Sequence, residues 1–328
     1  MISKKITIVI PVYNSETHLC RCLDSLINQT ILTDYTDSPY LILMIDDGSS
    51  DSSFSIMKTY EKKYPDLFIA VSRSNKGTAE TRNEGIDRCN TPYIMFIDND
   101  DYVDSDYVET LLSVIDNGDY DVVISGYRRE DKNGNLISRV VLSSDGEWSK
   151  YRCVAPWARI FKTDFIKNNK ICFFKNNIGE DTVFSLQVYS KTSKIKVEQY
   201  CGYVWYVNQD SVSNTVQRGL KKECNIIRML DELLKYINRD ALNEYYIYRY
   251  VVWYLLFSGR YASRSVFKET TNELFDWMKC HGINLSTKFY SKLIADEPIK
   301  NKLIVAFFDK IVRLHLVGIF ASIYCEGK

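Results

Sequence analysis

Over residues 6–125, short apolar runs alternate with stretches of helical spacing, and few folds accommodate that alternation. Residues 6–10, 41–45, 67–71, 93–97 and 122–125 read as strands. Their continuous apolar character suits burial on both faces of a sheet. Between them, residues 16–27 place Leu19, Cys20, Leu23, Leu26 and Ile27 at helical spacing, with Ser15 as the expected cap. Residues 50–60, 79–89 and 106–115 read as further helices. Strand–helix alternation predicts an α/β chain with a mostly parallel, Rossmann-like sheet flanked by helices. Ligands of such sheets sit at the carboxyl ends of the strands. Three polar segments fall there: residues 11–15, 46–51 and 98–101.

The third segment, Asp98-Asn99-Asp100-Asp101, places three carboxylates at the mouth of a buried strand. They repel one another and are costly to desolvate, and a divalent cation removes that cost. Mg²⁺ or Mn²⁺ prefers oxygen ligands and commonly shares them with substrate phosphates. An acidic, solvated loop is the competing reading. In the first segment Pro11 cannot continue a hydrogen-bonded ladder and is expected to open the sheet there. In the second, Gly48 permits a tight turn, and a carboxylate of Asp46 or Asp47 can accept from a pyrimidine imide. Asn75-Lys76-Gly77, followed by Arg82 at a helix start, offers cations and backbone donors to a phosphate.

Beyond residue 136 the pattern loosens. A strand over 136–142, a helix after Glu180 and two short strands within 195–207, broken near 199–202, are expected. Long helical patterns then cover 226–237, 244–257 and 302–324. With a formal net charge of zero, composition offers no argument for nucleic acid. Nine cysteines without a CxxC pair read as reduced thiols of a cytoplasmic protein. The start of the chain leaves no room for a signal peptide before the first strand, and no apolar run is long enough to span a membrane. From Thr215 onward 18 Lys and Arg stand against 12 Asp and Glu, so the tail is mildly basic as well as aromatic. Such helices suit packing on each other or on a second copy (a homodimer), or contact with a membrane surface.

In chain order the motifs are VIPVYN, IDDGSSD, NKGTAETRNEGI, FIDNDD and, later, IGEDTVF. Together they resemble the nucleotide-sugar domain of family-2 glycosyltransferases with the GT-A fold. The resemblance is strong over residues 5–115, resumes at Ile178 and fades after Ser213. It implies a catalytic domain over 1–214, with a helical region over 215–328 serving acceptor, oligomer or membrane surface. The donor would be a nucleoside-diphosphate sugar, UDP first, and the acceptor a saccharide hydroxyl, including a lipid-linked one at the inner face of a membrane. Pro11, Val12 and Tyr13 would line the base and ribose pocket. Asp47, with Asp46 as second candidate, would hold the base. Lys76 and Arg82 would lie near ribose or diphosphate, and Asp98 and Asn99 in the donor loop. Asp98, Asp100 and Asp101 would supply the Mn²⁺ or Mg²⁺ ligands, Asp100 most directly. Asp181 would be the general base, with Glu180 beside it, although both carboxylates also suit a helix N-terminus. The sequence departs from the resemblance where Tyr206 and Asn208 stand at positions in which arginine is frequent. Trp148 and Trp157 could stack on a sugar or pack in the core. A non-catalytic carbohydrate- or nucleotide-binding protein would keep the aromatics without needing Asp98, Asp100 and Asp181 together. A phosphoryl-transfer enzyme would usually show GxxxxGK[ST], which this chain lacks.

Overall fold

The computed structural model describes residues 4–32, 37–144, 146–208 and 218–327. The chain forms two compact units. The first comprises Met1–Ser144, Cys153–Lys175 and Glu180–Asn208; the second comprises Asp145–Arg152, Asn176–Gly179 and Gln209–Lys328. The domain boundary expected at 214/215 falls outside the described residues, as do residues 209–213 of the motif region.

In the first unit β1 (Ile6–Val12), β2 (Tyr40–Asp46), β3 (Phe68–Ser72) and β4 (Tyr93–Phe96) are joined through α1 (Leu19–Ile27), α2 (Ser53–Lys63) and α3 (Thr78–Arg88). β2 and β4 flank β1 and β3 lies outside β2, all parallel. The remaining strands are β5 (Tyr102–Val103), β6 (Val122–Glu130), β7 (Leu136–Val140), β8 (Arg159–Lys162) and β9 (Ile195–Tyr206), with α4 (Tyr107–Asp116), α5 (Thr163–Asn168) and α6 (Glu180–Lys191). The strand order is β3-β2-β1-β4-β8-β6-β9-β5, with β7 beside β6. β8 runs antiparallel to β4 and β6, so the mixed part of the sheet extends the parallel part that carries the motifs. Ile8, Ile10, Ile42, Met44 and Met95 pack with Leu19, Leu23, Leu26 and Met57 to form one core layer. Val9, Ile94, Phe96, Phe161 and Phe184 belong to the other. This is the α/β architecture that the alternation predicts.

Several local expectations are corrected. β1 continues through Pro11, which pairs with Ile45 of β2. On the other side β4 has already ended, since its last partner there is Val9. The N–H that proline lacks would point to that vacated side, so nothing is lost; Asn99 Nδ2 instead donates to the Pro11 carbonyl. The Ser15 side chain does not cap α1, whose N-cap position is His18 with no side-chain capping bond; the Ser15 hydroxyl donates to Asn99 Oδ1. β9 is one strand rather than two. The expected break survives as a register jump against β6, from Ser125↔Glu198 to Tyr127↔Tyr203.

The second unit is helical: α7 (Ile226–Leu234), α8 (Ala241–Gly259), α9 (Arg264–Cys280), α10 (Ile299–Arg313) and α11 (Val317–Tyr324). The single helix expected over 302–324 is two, because α10 ends in a Schellman turn. His315, at φ 57°, takes the left-handed position, its N–H donating to Val312 and that of Leu316 to Ile311. Within this unit Trp148 is buried, stacks on Tyr151 at 5.1 Å and donates its Nε1–H to Glu297, which Arg249 also binds. Among the described residues no helix is long and apolar enough to cross a membrane.

Candidate active site

Four loops meet at the carboxyl ends of β1–β4, and short polar side chains lace them together. Asn14, at φ 45°, donates its N–H to the Ser49 hydroxyl oxygen and accepts the Ser50 N–H at its Oδ1. The Ser53 hydroxyl accepts from the Ser15 N–H. Asn99 ties the acidic loop back to Pro11 and Ser15. Asp46 is buried, accepting from the Ser49 N–H and the Ser72 hydroxyl. Asp47 is buried too; it accepts from the Lys76 and Gly77 N–H groups and pairs with Arg73 at 3.0 Å. Gly48 sits at φ 76°, and a Cβ there would lie 2.9 Å from the Asn75 nitrogen, so the turn requires glycine on both counts.

Arg82 is the hub. Buried on α3, it donates from Nη2 to Asp98 at 2.7 Å and from Nη1 to Asp181 at 2.6 Å, with Glu180 at 3.9 Å. Glu180 and Asp181 form the first turn of α6. The segment leading to that helix is fixed by Asn83, which exchanges two hydrogen bonds with the Phe173 backbone. Burial opposes the Arg82 charge, but Asp181, Asp98 and Glu180 outweigh it and raise its pKa. Burial raises the Asp181 carboxyl to about 7 against the pull of Arg82, with Glu180 and Asp98 adding to the rise. Glu180 is raised by burial as well.

The acidic loop divides its labour. Asp101 is buried and both oxygens are engaged, one by the Tyr203 hydroxyl at 2.6 Å and one by the Tyr206 N–H at 2.9 Å. Asp100 receives only Asn208 Nδ2, at 3.3 Å, among its described side-chain partners. Burial, then Asp98, pushes the Asp100 carboxyl up. Tyr13 and Lys76 are exposed beside this region, while Val12 is buried.

The model of glycosyl transferase family 2 matches residues 7–180. The chain belongs to glycosyl transferase family 2. It is 33% identical, over 73% of its length, to a poly(ribitol-phosphate) beta-glucosyltransferase of Bacillus spizizenii, and 27% identical, over 75%, to the uncharacterized glycosyltransferase YibD of Escherichia coli. The match covers 38% of the Bacillus protein and 74% of YibD. Another relative, glycosyltransferase GlyA of Streptococcus pneumoniae, is matched over 32% of its length, so the chain spans about a third of the first curated relatives. The fold is that of S. aureus TarS 1–349 in complex with UDP-GlcNAc, with a TM-score of 0.65 at 17% identity over 93% of this chain and 92% of that one. A mannosyltransferase from Pyrobaculum calidifontis, in complex with GDP-Man and Mn²⁺, matches with a TM-score of 0.52 at 10% identity over 98% and 87% of the two chains. The GT-A fold expected from the motifs is therefore present.

For a family 2 site the donor set suits a hard cation: the Asp98 side chain is held through one oxygen by Arg82 and Asp100 only by a long contact from Asn208 and its own backbone, whereas both oxygens of Asp101 are engaged. Among the described residues no three carboxylate, His or Cys groups gather closely enough to hold an ion alone.

Two cations escaped the sequence reading. Arg21 of α1 donates to the Asp100 carbonyl at 2.7 Å, with its guanidinium 3.8 Å from the Tyr206 ring centroid and 4.8 Å from that of Tyr102. A tyrosine at 206 thus covers an arginine supplied by another element. Arg73 binds Asp47 and Glu84, each at 3.0 Å. The available signal was their place near the motif loops, Arg21 six residues after Ser15 and Arg73 two residues before Asn75. The tryptophans are core: Trp148 lies in the second unit, and Trp157 is buried with its ring stacked on Tyr203 at 4.6 Å.

Proposed function

We propose that this chain moves a sugar from a nucleoside-diphosphate sugar, UDP first, to a hydroxyl of a saccharide or polyol-phosphate chain, inverting the anomeric centre and using Mn²⁺ or Mg²⁺. One observation carries the reading: Arg82 binds Asp98, at the donor loop, and Asp181, at the start of α6, through its two terminal nitrogens. A donor-side carboxylate and a candidate base are thereby held a guanidinium apart. The relatives' names support the donor and acceptor classes, since they include poly(ribitol-phosphate) glycosyltransferases and TarS with UDP and UDP-GlcNAc.

In this reading Asp181 accepts the proton of the acceptor hydroxyl. The oxygen attacks the anomeric carbon as the bond to the diphosphate breaks, and the electron pair leaves with the diphosphate. A carboxyl lifted to about 7 is matched to proton transfer near neutral pH. Arg82 orients Asp181 from one side, and Glu180 lies beside it for the acceptor. Asp98 and Asp100 would hold the cation, which when bound offsets the charge developing on the leaving diphosphate. Asp47 keeps the loop carrying Lys76 closed on the second strand and offers its remaining lone pairs to a pyrimidine edge, with Asp46 behind it. Pro11, Val12, Tyr13 and Asn99 shape the base and ribose side.

Calorimetry of UDP binding with and without Mn²⁺ tests the donor half. Asp100→Ala should abolish the Mn²⁺-dependent part while circular dichroism stays unchanged. Wild-type UDP affinity in Mn²⁺ for that variant overturns the metal assignment.

A further inference from the structure

The last two helices bury one face and leave the other apolar. Val305, Phe308 and Ile311 of α10 and Val317 and Ala321 of α11 are buried, with Phe308 5.5 Å from Phe320. On the outside stand Ile299, Leu303, Phe307 (62% exposed), Leu314 (65%), Ile319 (63%) and Ile323 (83%). At about 100° per residue, Ile299, Leu303, Phe307, Lys310 and Leu314 fall within roughly 80° of one another. Lys310 therefore lies inside the apolar stripe, and exposed Lys300 and Arg313 flank it. Asp309 is the one carboxylate on the two helices; it accepts from the Tyr248 hydroxyl and pairs with Arg313.

We propose that this face of the second unit docks on an anionic lipid bilayer, its apolar side chains entering the headgroup boundary and Lys300 and Lys310 meeting acidic headgroups. An apolar stripe with cations in and beside it is what an interfacial helix needs. Charge argues against a second copy as the occupant. A two-fold interface over this face would bury Lys300 and Lys310 of both copies with no unpaired carboxylate on α10 or α11 to answer them. Neither helix is long and apolar enough to span a membrane, which leaves a surface position. The inference stands independently of the proposed reaction.

The test is flotation of the full chain with vesicles of phosphatidylcholine alone, or with about one-quarter phosphatidylglycerol. The chain should float only with the anionic vesicles, and less as salt rises. The Lys300→Glu, Lys310→Glu double variant should weaken partitioning by at least about fivefold for each cation removed. A Phe307→Ser, Ile323→Ser variant should weaken it with the charges intact. All altered positions are exposed, and unchanged circular dichroism confirms folding. The proposal fails if the wild type does not float with anionic vesicles, or if both variants float as the wild type does. It also fails if sedimentation shows a dimer that Phe307→Ser dissociates in a chain without vesicle affinity.

Discussion

A single guanidinium decides the electrostatics of the site. Arg82 is surrounded by Asp98, Asp181 and Glu180, and with more carboxylates than cations in the group, burial drives Asp181 up to about 7. The consequence for stability has a definite sign. The folded chain keeps the Asp181 proton at pH values where the unfolded chain, with its carboxyl near 3.8, has lost it. Stability from this group is therefore greatest below about pH 4 and falls as pH rises toward 7. Asp181→Asn should remove that slope, which thermal melts from pH 5 to 8 would read. If the residue is the base, kcat/KM should climb over the same window in the wild type. The variant should lose about 10²- to 10⁴-fold in turnover with little change in UDP affinity. Parallel loss of UDP affinity would place Asp181 with the donor instead. The pair Glu180-Asp181 was legible in the sequence as a motif. That a buried arginine 99 positions earlier would bind it was not, because nothing local to either residue encodes the contact.

At the scale of elements, the sequence marks β1–β4, β6, β7 and the polar loops but not β5 or β8, while the structure shows what fixes one loop against the next. Asn99 does so twice, donating to Pro11 and accepting from Ser15. In the sequence it is merely the polar residue between two aspartates. Asn99→Ala should remove both bonds and leave the Pro11 carbonyl with a poorer partner, lowering stability by about 1–3 kcal/mol. A chemical denaturation series would measure this, and UDP affinity should fall with it because the first and third loops would no longer be tied. Unchanged stability would mean that water replaces Asn99 without penalty. The helix ends illustrate the opposite case. Ser15 has the chemistry of a cap but its hydroxyl is turned to Asn99, to which it donates, and α10 stops before His315, which takes the left-handed turn position that glycine usually fills. Both outcomes depend on neighbours distant in sequence or on the backbone hydrogen bonds of the turn.

For the molecule as a whole, residues 146–152 matter more than their number suggests. They precede β8 in the chain, yet they pack with the helical unit, where Trp148 and Tyr151 meet Tyr245, Tyr246, Asn243 and Glu297. A chain ending after Asn208 would retain this segment and lose its partners. It should expose Trp148, giving a red-shifted tryptophan emission and self-association in sedimentation; a monomer with the emission of the full chain would contradict this. Sequence alone determined the α/β class, the alternating strands and helices that build the parallel part of the sheet and the loops that carry polar chemistry. Those follow from hydrophobic period and turn composition, which are local properties. Only tertiary structure decided which carboxylates are engaged and which are open, why Arg82 and Arg21 sit where they do, and which tryptophans are core. Hydrogen bonds and burial depend on groups brought together from tens to over a hundred positions apart, and no local pattern records that proximity.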